Sequence, residues 1–241
     1  MTPLQAWTGL VGDRDPAQPL LTLLDPAGRV ELSGATTANW VAKSANLLVD
    51  GLGGPARVGL LLPLHWQAVA LLLAGVATGA TVVVAADPAE LAGCEAAFTT
   101  ADAAEAALDA GVDDVLALSG HPLGAPCGPL PPMVTDYARE VPSYADHWGG
   151  RATGPARVEV GGGPLGELPA LELTGADRVL LGGPLTEPVT LAVLLAALGS
   201  GAALLLVPDP SAVDLERLAA QEGATAAHGL AFPGLRSPLG R

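Results

Sequence analysis

The chain has 241 residues, half of them apolar, which excludes a wholly disordered protein and is enough for one or two folded domains with a sizeable core. Eleven basic residues stand against 25 acidic ones, a net charge of −14, and Lys43 is the sole lysine. The ten arginines are scattered, so no cationic surface is available to track phosphates, and nucleic acid and anionic membranes are excluded as partners.

The opening MTPLQAWTGLVGDRD lacks a basic stretch followed by an apolar run, so no secretory leader is expected and the cytoplasm is the default compartment. Leu20–Leu24 and Arg29–Leu32 flank Asp25-Pro26-Ala27-Gly28, a hairpin signal. Residues 37–52 predict an amphipathic helix with Trp40, Val41, Ala45, Leu48 and Leu52 on one face. From Gly59 to Ala86 there are 28 residues without a charge, long enough to span a bilayer. Pro63, the polar LHWQ step and Thr78-Gly79-Ala80 punctuate that stretch, so it reads as a buried strand at 57–62, a helix at 65–78 and a strand at 81–85. A short strand at 96–99, an acidic surface helix at 102–110 stopped by Gly111, and a strand at 114–118 follow.

Residues 120–170 hold nine prolines and ten glycines and read as a linker with little sustained regular structure, save a short strand at 156–160. Beyond it, 179–181 predicts a strand, 188–198 a helix stopped by Gly199 and Gly201, and 203–207 a further strand.

These last elements repeat earlier ones. RVGLLLPL (57–64) overlays RVLLGGPL (178–185) at an offset of 121, and one inserted residue carries the match on at 122. Arg-Val, Pro-Leu, Gly79-Ala80 on Gly201-Ala202, and Asp87-Pro88 on Asp209-Pro210 coincide, giving 13 identities in 32 positions. A strand joined to a parallel neighbour through a crossover helix is a right-handed βαβ unit. The expected fold class is therefore α/β, with two pseudo-repeated βαβ halves and mainly parallel sheets flanked by helices. The organisation read from the sequence is one domain over 1–241, with a first half at 1–119, a Pro/Gly-rich linker at 120–170 and a second half at 171–241.

GGPARVGLLLPLHWQAVALLLAGVATGATVVV, then GADRVLLGGPL and ALLLVPDP followed by LERLAAQEGATAAHG, resemble the N-terminal region of the AMP-forming adenylating enzymes. That superfamily includes acyl-CoA synthetases, peptide-synthetase adenylation domains and luciferases. The likeness covers roughly 20–118 and 171–230 and is strongest to a short actinobacterial branch. Members bind ATP phosphates on a Ser/Thr/Gly-rich loop closing with a lysine, yet 133–172 has neither such a run nor a lysine. The adenine and ribose motifs and the hinged C-terminal lid that the resemblance implies fall past the last residue of this sequence. Phosphoryl chemistry needs cations and oriented N–H groups on the phosphates. Lys43, on an N-terminal helix, is far in sequence from any candidate loop.

Other candidate sites are weaker than their structural alternatives. Gly161, Gly163 and Gly166 satisfy G-x-G-x-x-G literally, but Pro169 interrupts any helix that would receive a pyrophosphate, so a flexible turn is the better account. His65, His121, His147 and His228 show no metal-ligand spacing, although His121 and Cys127 share a loop and Asp146 adjoins His147. Cys94 and Cys127 imply neither a disulfide framework nor a thiolate site. Gly199-Ser200-Gly201 is a helix stop rather than a nucleophile elbow. His65-Trp66 follows a strand's carboxyl end, where ligands bind in open α/β sheets, but a partly buried helix start explains it as well. Tyr137, Tyr144 and Trp148 either anchor the linker on the core or face a partner.

No residue is therefore assigned as catalytic, cofactor-binding or metal-ligating. The expectation is a non-catalytic adenylating-enzyme-like domain that binds a small molecule or a protein partner. The alternative is a component of an acyl-CoA synthetase or AMP-ligase-type enzyme that retains acyl, CoA or nucleotide binding and needs a partner chain.

Overall fold

The computed structural model describes residues 2–10, 15–150, 156–230, 232 and 234–240. Helix α1 (Pro3–Leu10) precedes the antiparallel hairpin of β1 (Pro19–Asp25) and β2 (Gly28–Ser33). The hairpin turn is shaped by Asp25, whose Oδ1 accepts the N–H of Ala27 at 2.8 Å. Strand β1 buries its Leu-Leu-Thr-Leu-Leu run, whereas β2 exposes charged Arg29 and Glu31, as suits an edge strand. Helix α2 (Gly34–Asn46) starts earlier than the apolar periodicity predicts. The reason is Ser33, whose hydroxyl accepts the N–H of Thr36 at 3.2 Å and so caps the helix. Its expected last turn is instead a π turn, Leu47–Gly51.

Next come β3 (Arg57–Leu61), α3 (Trp66–Thr78), β4 (Thr81–Val84), β5 (Ala96–Thr100), α4 (Ala104–Asp109) and β6 (Asp114–Leu118). The uncharged stretch from Gly59 is thus strand, helix, strand, and no described helix is long and apolar enough to cross a membrane. The acidic helix is shorter than its sequence suggests, and Ala104 and Ala107 bury one side of it.

Residues 120–170 contribute β7 (Val134–Asp136), α5 (Tyr137–Glu140), β8 (Arg157–Val160) and β9 (Gly163–Pro164). None of these exceeds four residues, consistent with the Pro and Gly content. The strands form because β6 and β4 offer open parallel edges, which β7 and β8 take up. The remaining elements are β10 (Arg178–Leu181), α6 (Pro188–Gly199), β11 (Ala203–Leu206), α7 (Leu215–Glu222) and β12 (Ala226–His228).

The chain divides into two compact units. One comprises Met1–Ala38, Pro63–Trp66 and Gly166–Arg241, and the other Asn39–Leu62 and Gln67–Leu165. The first holds a five-stranded sheet ordered β12-β10-β11-β1-β2, the second a seven-stranded sheet ordered β7-β6-β5-β3-β4-β8-β9. Among the described strands only β1–β2 and β8–β9 pair antiparallel. Leu24, Leu180, Leu205, Val207 and Ala219 form a core in the first unit. In the second, small side chains such as Ala97, Ala107 and Ala117 pack with Leu91, Val83 and Val115, so close element spacing replaces aromatic bulk.

The two βαβ segments agree in detail. Arg57 pairs with Thr81 and Leu60 with Val84; at the same offsets Arg178 pairs with Ala203 and Leu181 with Leu206. Gly79 and Gly201 end the helices at φ +83 and +77, a conformation glycine adopts without steric cost. The N–H of Ala80 bonds the carbonyl of Gly75, and that of Ala202 bonds the carbonyl of Ala197, both at 3.0 Å. Asp87 and Asp209 each cap a short 3₁₀ turn, accepting from Ala89 and Ser211. A third strand then pairs with the first in each unit, β5 with β3 and β12 with β10. The duplication is structural, not a coincidence of Ala/Leu-rich helices.

Candidate functional site at the carboxyl ends of β10 and β12

Ligands of open α/β sheets lodge outside the carboxyl ends of strands where successive connections run in opposite directions. In the five-stranded sheet the chain leaves β10 through α6 toward β11, while β12 lies on the other side of β10. The loops diverging there are Gly182-Gly183-Pro184-Leu185 and His228-Gly229-Leu230.

The two strand ends meet backbone to backbone. The N–H of Gly182 donates to the carbonyl of His228 at 2.9 Å. Gly229 has φ +69, and a methyl group on it would run into the Gly182 carbonyl, while one on Gly182 would strike the Leu230 side chain. The left-handed φ and the backbone contact require glycine at Gly229, whereas a side chain at Gly182 would have to displace Leu230. On the β10 side the chain turns through Gly183 and reaches Glu187, the residue before Pro188 opens α6. Thr190, buried, donates its hydroxyl to Glu187 Oε2 at 3.1 Å and fixes that carboxylate.

His228 is half-buried, and burial lowers its pKa below the usual imidazole value against a smaller opposing pull from Glu187. The imidazole is therefore neutral near pH 7. Glu187 and a neutral imidazole can donate and accept hydrogen bonds to a bound molecule, but they supply no positive charge.

Among the described residues, every cation but Arg157 is engaged elsewhere. Arg29, Arg57, Arg139, Arg178, Arg217 and Arg236 each lie 3.9 Å or less from a carboxylate. Glu222 gathers Arg29 and Arg178 under α7, and Arg57 forms a two-pronged pair with Glu159, at 3.2 and 2.9 Å. Lys43 Nζ donates to the backbone carbonyls of Tyr144 at 2.5 Å and Pro142 at 3.3 Å, so the sole lysine ties a loop to α2.

The residues singled out from sequence do not converge. Gly161 and Gly162, at φ +60 and +76, form the tight turn between β8 and β9, with no helix behind them to take a pyrophosphate. His65 and Trp66 are buried at the start of α3, their rings 5.5 Å apart, in keeping with a helix-start role. His121 Nδ1 accepts from the N–H of Leu123 within its own turn, and the buried Cys127 donates its N–H to Asp136. The carbonyl of His147 accepts from Asn46. Tyr137 is an anchor, fully buried, whereas Tyr144 lies beside Glu140 with its hydroxyl donating at 3.1 Å. Among the described residues no group of three or more His, Cys, Asp or Glu is placed to hold a metal ion.

His228 was visible in the sequence, but its partner Glu187 was not singled out. The usable signal was the repeat: Gly182-Gly183-Pro184 falls where the first copy has Leu61-Leu62-Pro63, and the loss of side chains there marks a close backbone approach.

No protein-family model matches the chain. A TIGR03089 family protein of Mycobacterium tuberculosis is 40% identical over 224 residues, spanning 88% of this chain and 91% of that protein. The chain belongs to the TIGR03089 family. Among solved structures it is similar to an acyl-CoA synthetase of Brucella canis (TM-score 0.75, 17% identity, covering 92% of this chain and 46% of that one). It is also similar to the anthranilate CoA ligase AuaEII in complex with anthranoyl-AMP (TM-score 0.72, 17% identity, 94% and 49%). A third is the N-terminal domain of FACL13 from Mycobacterium tuberculosis (TM-score 0.67, 18% identity, 93% and 61%). The fold is that of the N-terminal part of adenylating enzymes, and the chain spans about half the length of the two ligases.

Proposed function

We propose that this TIGR03089 family member is a non-catalytic, cytoplasmic, adenylating-enzyme-like domain that binds a small molecule or a protein partner, with the carboxyl-end crevice of β10 and β12 as its ligand site. One observation carries this reading: among the described residues, six of the seven arginines, all but Arg157, are closed onto carboxylates and Lys43 onto backbone carbonyls. Stabilising charge on a triphosphate requires cations free to meet it. The crevice instead presents Glu187 and a neutral His228.

ATP–pyrophosphate exchange with the purified chain and a panel of carboxylic acids tests the first half of the proposal. Exchange at background level is expected, and turnover by the chain alone would overturn it. A metabolite thermal-shift screen tests the second half. A ligand found there is expected to lose its stabilising effect in Glu187→Gln or His228→Ala, and an undiminished effect in both variants would remove the crevice from the reading.

A second reading, a component of an acyl-CoA synthetase or AMP-ligase-type enzyme, draws on the retention of the ligase fold over 92% of this chain. On that reading acyl, CoA or nucleotide binding persists, and exchange activity appears only when a partner chain is added.

A further inference from the structure

Past β12 the chain turns back along its own sheet. Gly229, at φ +69, starts the turn, and Leu230, Phe232 and Leu235 lay their side chains on the core of Leu24, Leu180, Leu205, Val207 and Ala219. All three remain only partly buried. Leu230 stands over Gly182: its Cδ2 and Cγ are the atoms nearest to where a Gly182 side chain would begin. The space that this glycine leaves on the β10 lip of the crevice is therefore filled by a side chain from the β12 lip.

The returning chain is fastened at Arg236. This residue bridges to Ala226 in parallel register, and its carbonyl accepts the N–H of Ala227 at 3.0 Å. Its guanidinium donates to Asp177 Oδ1 and to the carbonyl of Glu172, each at 2.7 Å. The two sides of the ion pair are unequal. Asp177 is 13% exposed and is oriented without the arginine. Its Oδ2 accepts the N–H and the hydroxyl of Thr174 at 2.8 and 3.1 Å, and its Oδ1 accepts the hydroxyl of Thr225 at 2.8 Å. Arg236 is 44% exposed, and its charge is held only by that carboxylate and one carbonyl. Ion pairs open to solvent add little stability, and segments with few buried contacts open well below the cost of global unfolding. Release of Arg236 leaves the Asp177 catch intact and leaves a single backbone bond, from Ala227, to hold the return.

We propose that Leu230 is a plug in the β10–β12 crevice and Arg236 is its latch. The crevice is covered while Arg236 sits on Asp177 and is uncovered when that pair parts and Leu230 lifts about Gly229. This rests on the crevice being the ligand site proposed above, and adds that a ligand enters it only after the latch releases.

The rate at which diethyl pyrocarbonate modifies His228 measures access to the crevice. The reagent attacks neutral imidazole, the form His228 holds near pH 7, and peptide mass spectrometry resolves the four histidines. Slow reaction is expected in the parent, and reaction about tenfold faster in Arg236→Ala, the scale of losing a charge-assisted bond. Leu230→Ala, which removes the plug and keeps the latch, is expected to speed it likewise. His121 and His147 are exposed and should keep their rates, while buried His65 should stay unreactive and so report an intact fold. The proposal is overturned if His228 keeps the parental rate in either variant. It is also overturned if His65 becomes reactive with it, because Arg236 or Leu230 then holds the fold and not a cover. No ligand takes part, so failure of the latch is told apart from failure of the crevice, which the thermal-shift screen decides.

Discussion

Ser44 Oγ and the Tyr137 hydroxyl lie 2.8 Å apart, both side chains buried and 93 residues apart in the chain. Ser44 directs its own proton to the carbonyl of Trp40 at 2.8 Å, so Tyr137 donates to Ser44. The ring of Tyr137 meets Phe98 edge-on, centroids 5.7 Å apart. This pair anchors the Pro/Gly-rich segment to α2.

The Tyr137→Phe variant is expected to lose about 1 kcal/mol at neutral pH, the usual net worth of one hydrogen bond. Burial pushes the phenol far above its ordinary pKa, so the folded state resists ionisation. The unfolded chain ionises near pH 10, so the contribution is complete below that pH and is lost as pH rises beyond it. Urea denaturation at neutral and strongly alkaline pH checks this: the parent declines more steeply than the phenylalanine variant, and parallel declines would refute it.

Glu222 accepts from Arg29 at 2.6 and 3.0 Å and from Arg178 at 3.2 Å. The Arg29 bond, opposed by burial, holds its carboxyl below the usual range. That contribution is present above about pH 4.5 and fades as pH falls through the lowered value. Glu222→Gln is expected to cost about 1–2 kcal/mol at pH 7, kept modest by the solvent exposure of Arg29. Stability of the variant, followed by urea denaturation, should also fall less between about pH 5 and pH 3.

Gly79 and Gly201 occupy matching positions, so Gly79→Ala and Gly201→Ala are expected to cost similar amounts, about 1 kcal/mol each. Thermal or urea midpoints of the two variants provide the comparison, and a large inequality would break the equivalence of the repeats.

Gly229→Ala is expected to cost more than either, because its methyl group meets a backbone carbonyl that no side-chain rotation can move. The same denaturation series shows it, and any ligand of the crevice should bind the variant more weakly.

Much of the fold was legible in advance because its signals are local. Gly79 and Gly201 stop helices through their own conformation, Asp87 and Asp209 cap turns two residues on, and the valine and leucine runs of β4 and β11 read as buried strands without knowledge of their partners. Residues 120–170 were less legible: the short strand expected at 156–160 is β8, but β7 has three residues, too few for periodicity to show. The start of α2 was missed because the cap, Ser33, lies outside the apolar pattern.

The amino-acid sequence by itself determined the duplicated strand–helix–strand elements, the hairpin of β1 and β2, and the shortage of cations, since each depends on neighbouring residues or on composition alone. Only the tertiary structure decided that β8 joins β4, that Lys43 ends on the carbonyls of Pro142 and Tyr144, and that Gly182 meets His228. The physical reason is that each of these bonds has on at least one side a backbone group that every residue carries. Which distant edge or carbonyl they find is settled by the packing of the whole sheet, not by any local pattern.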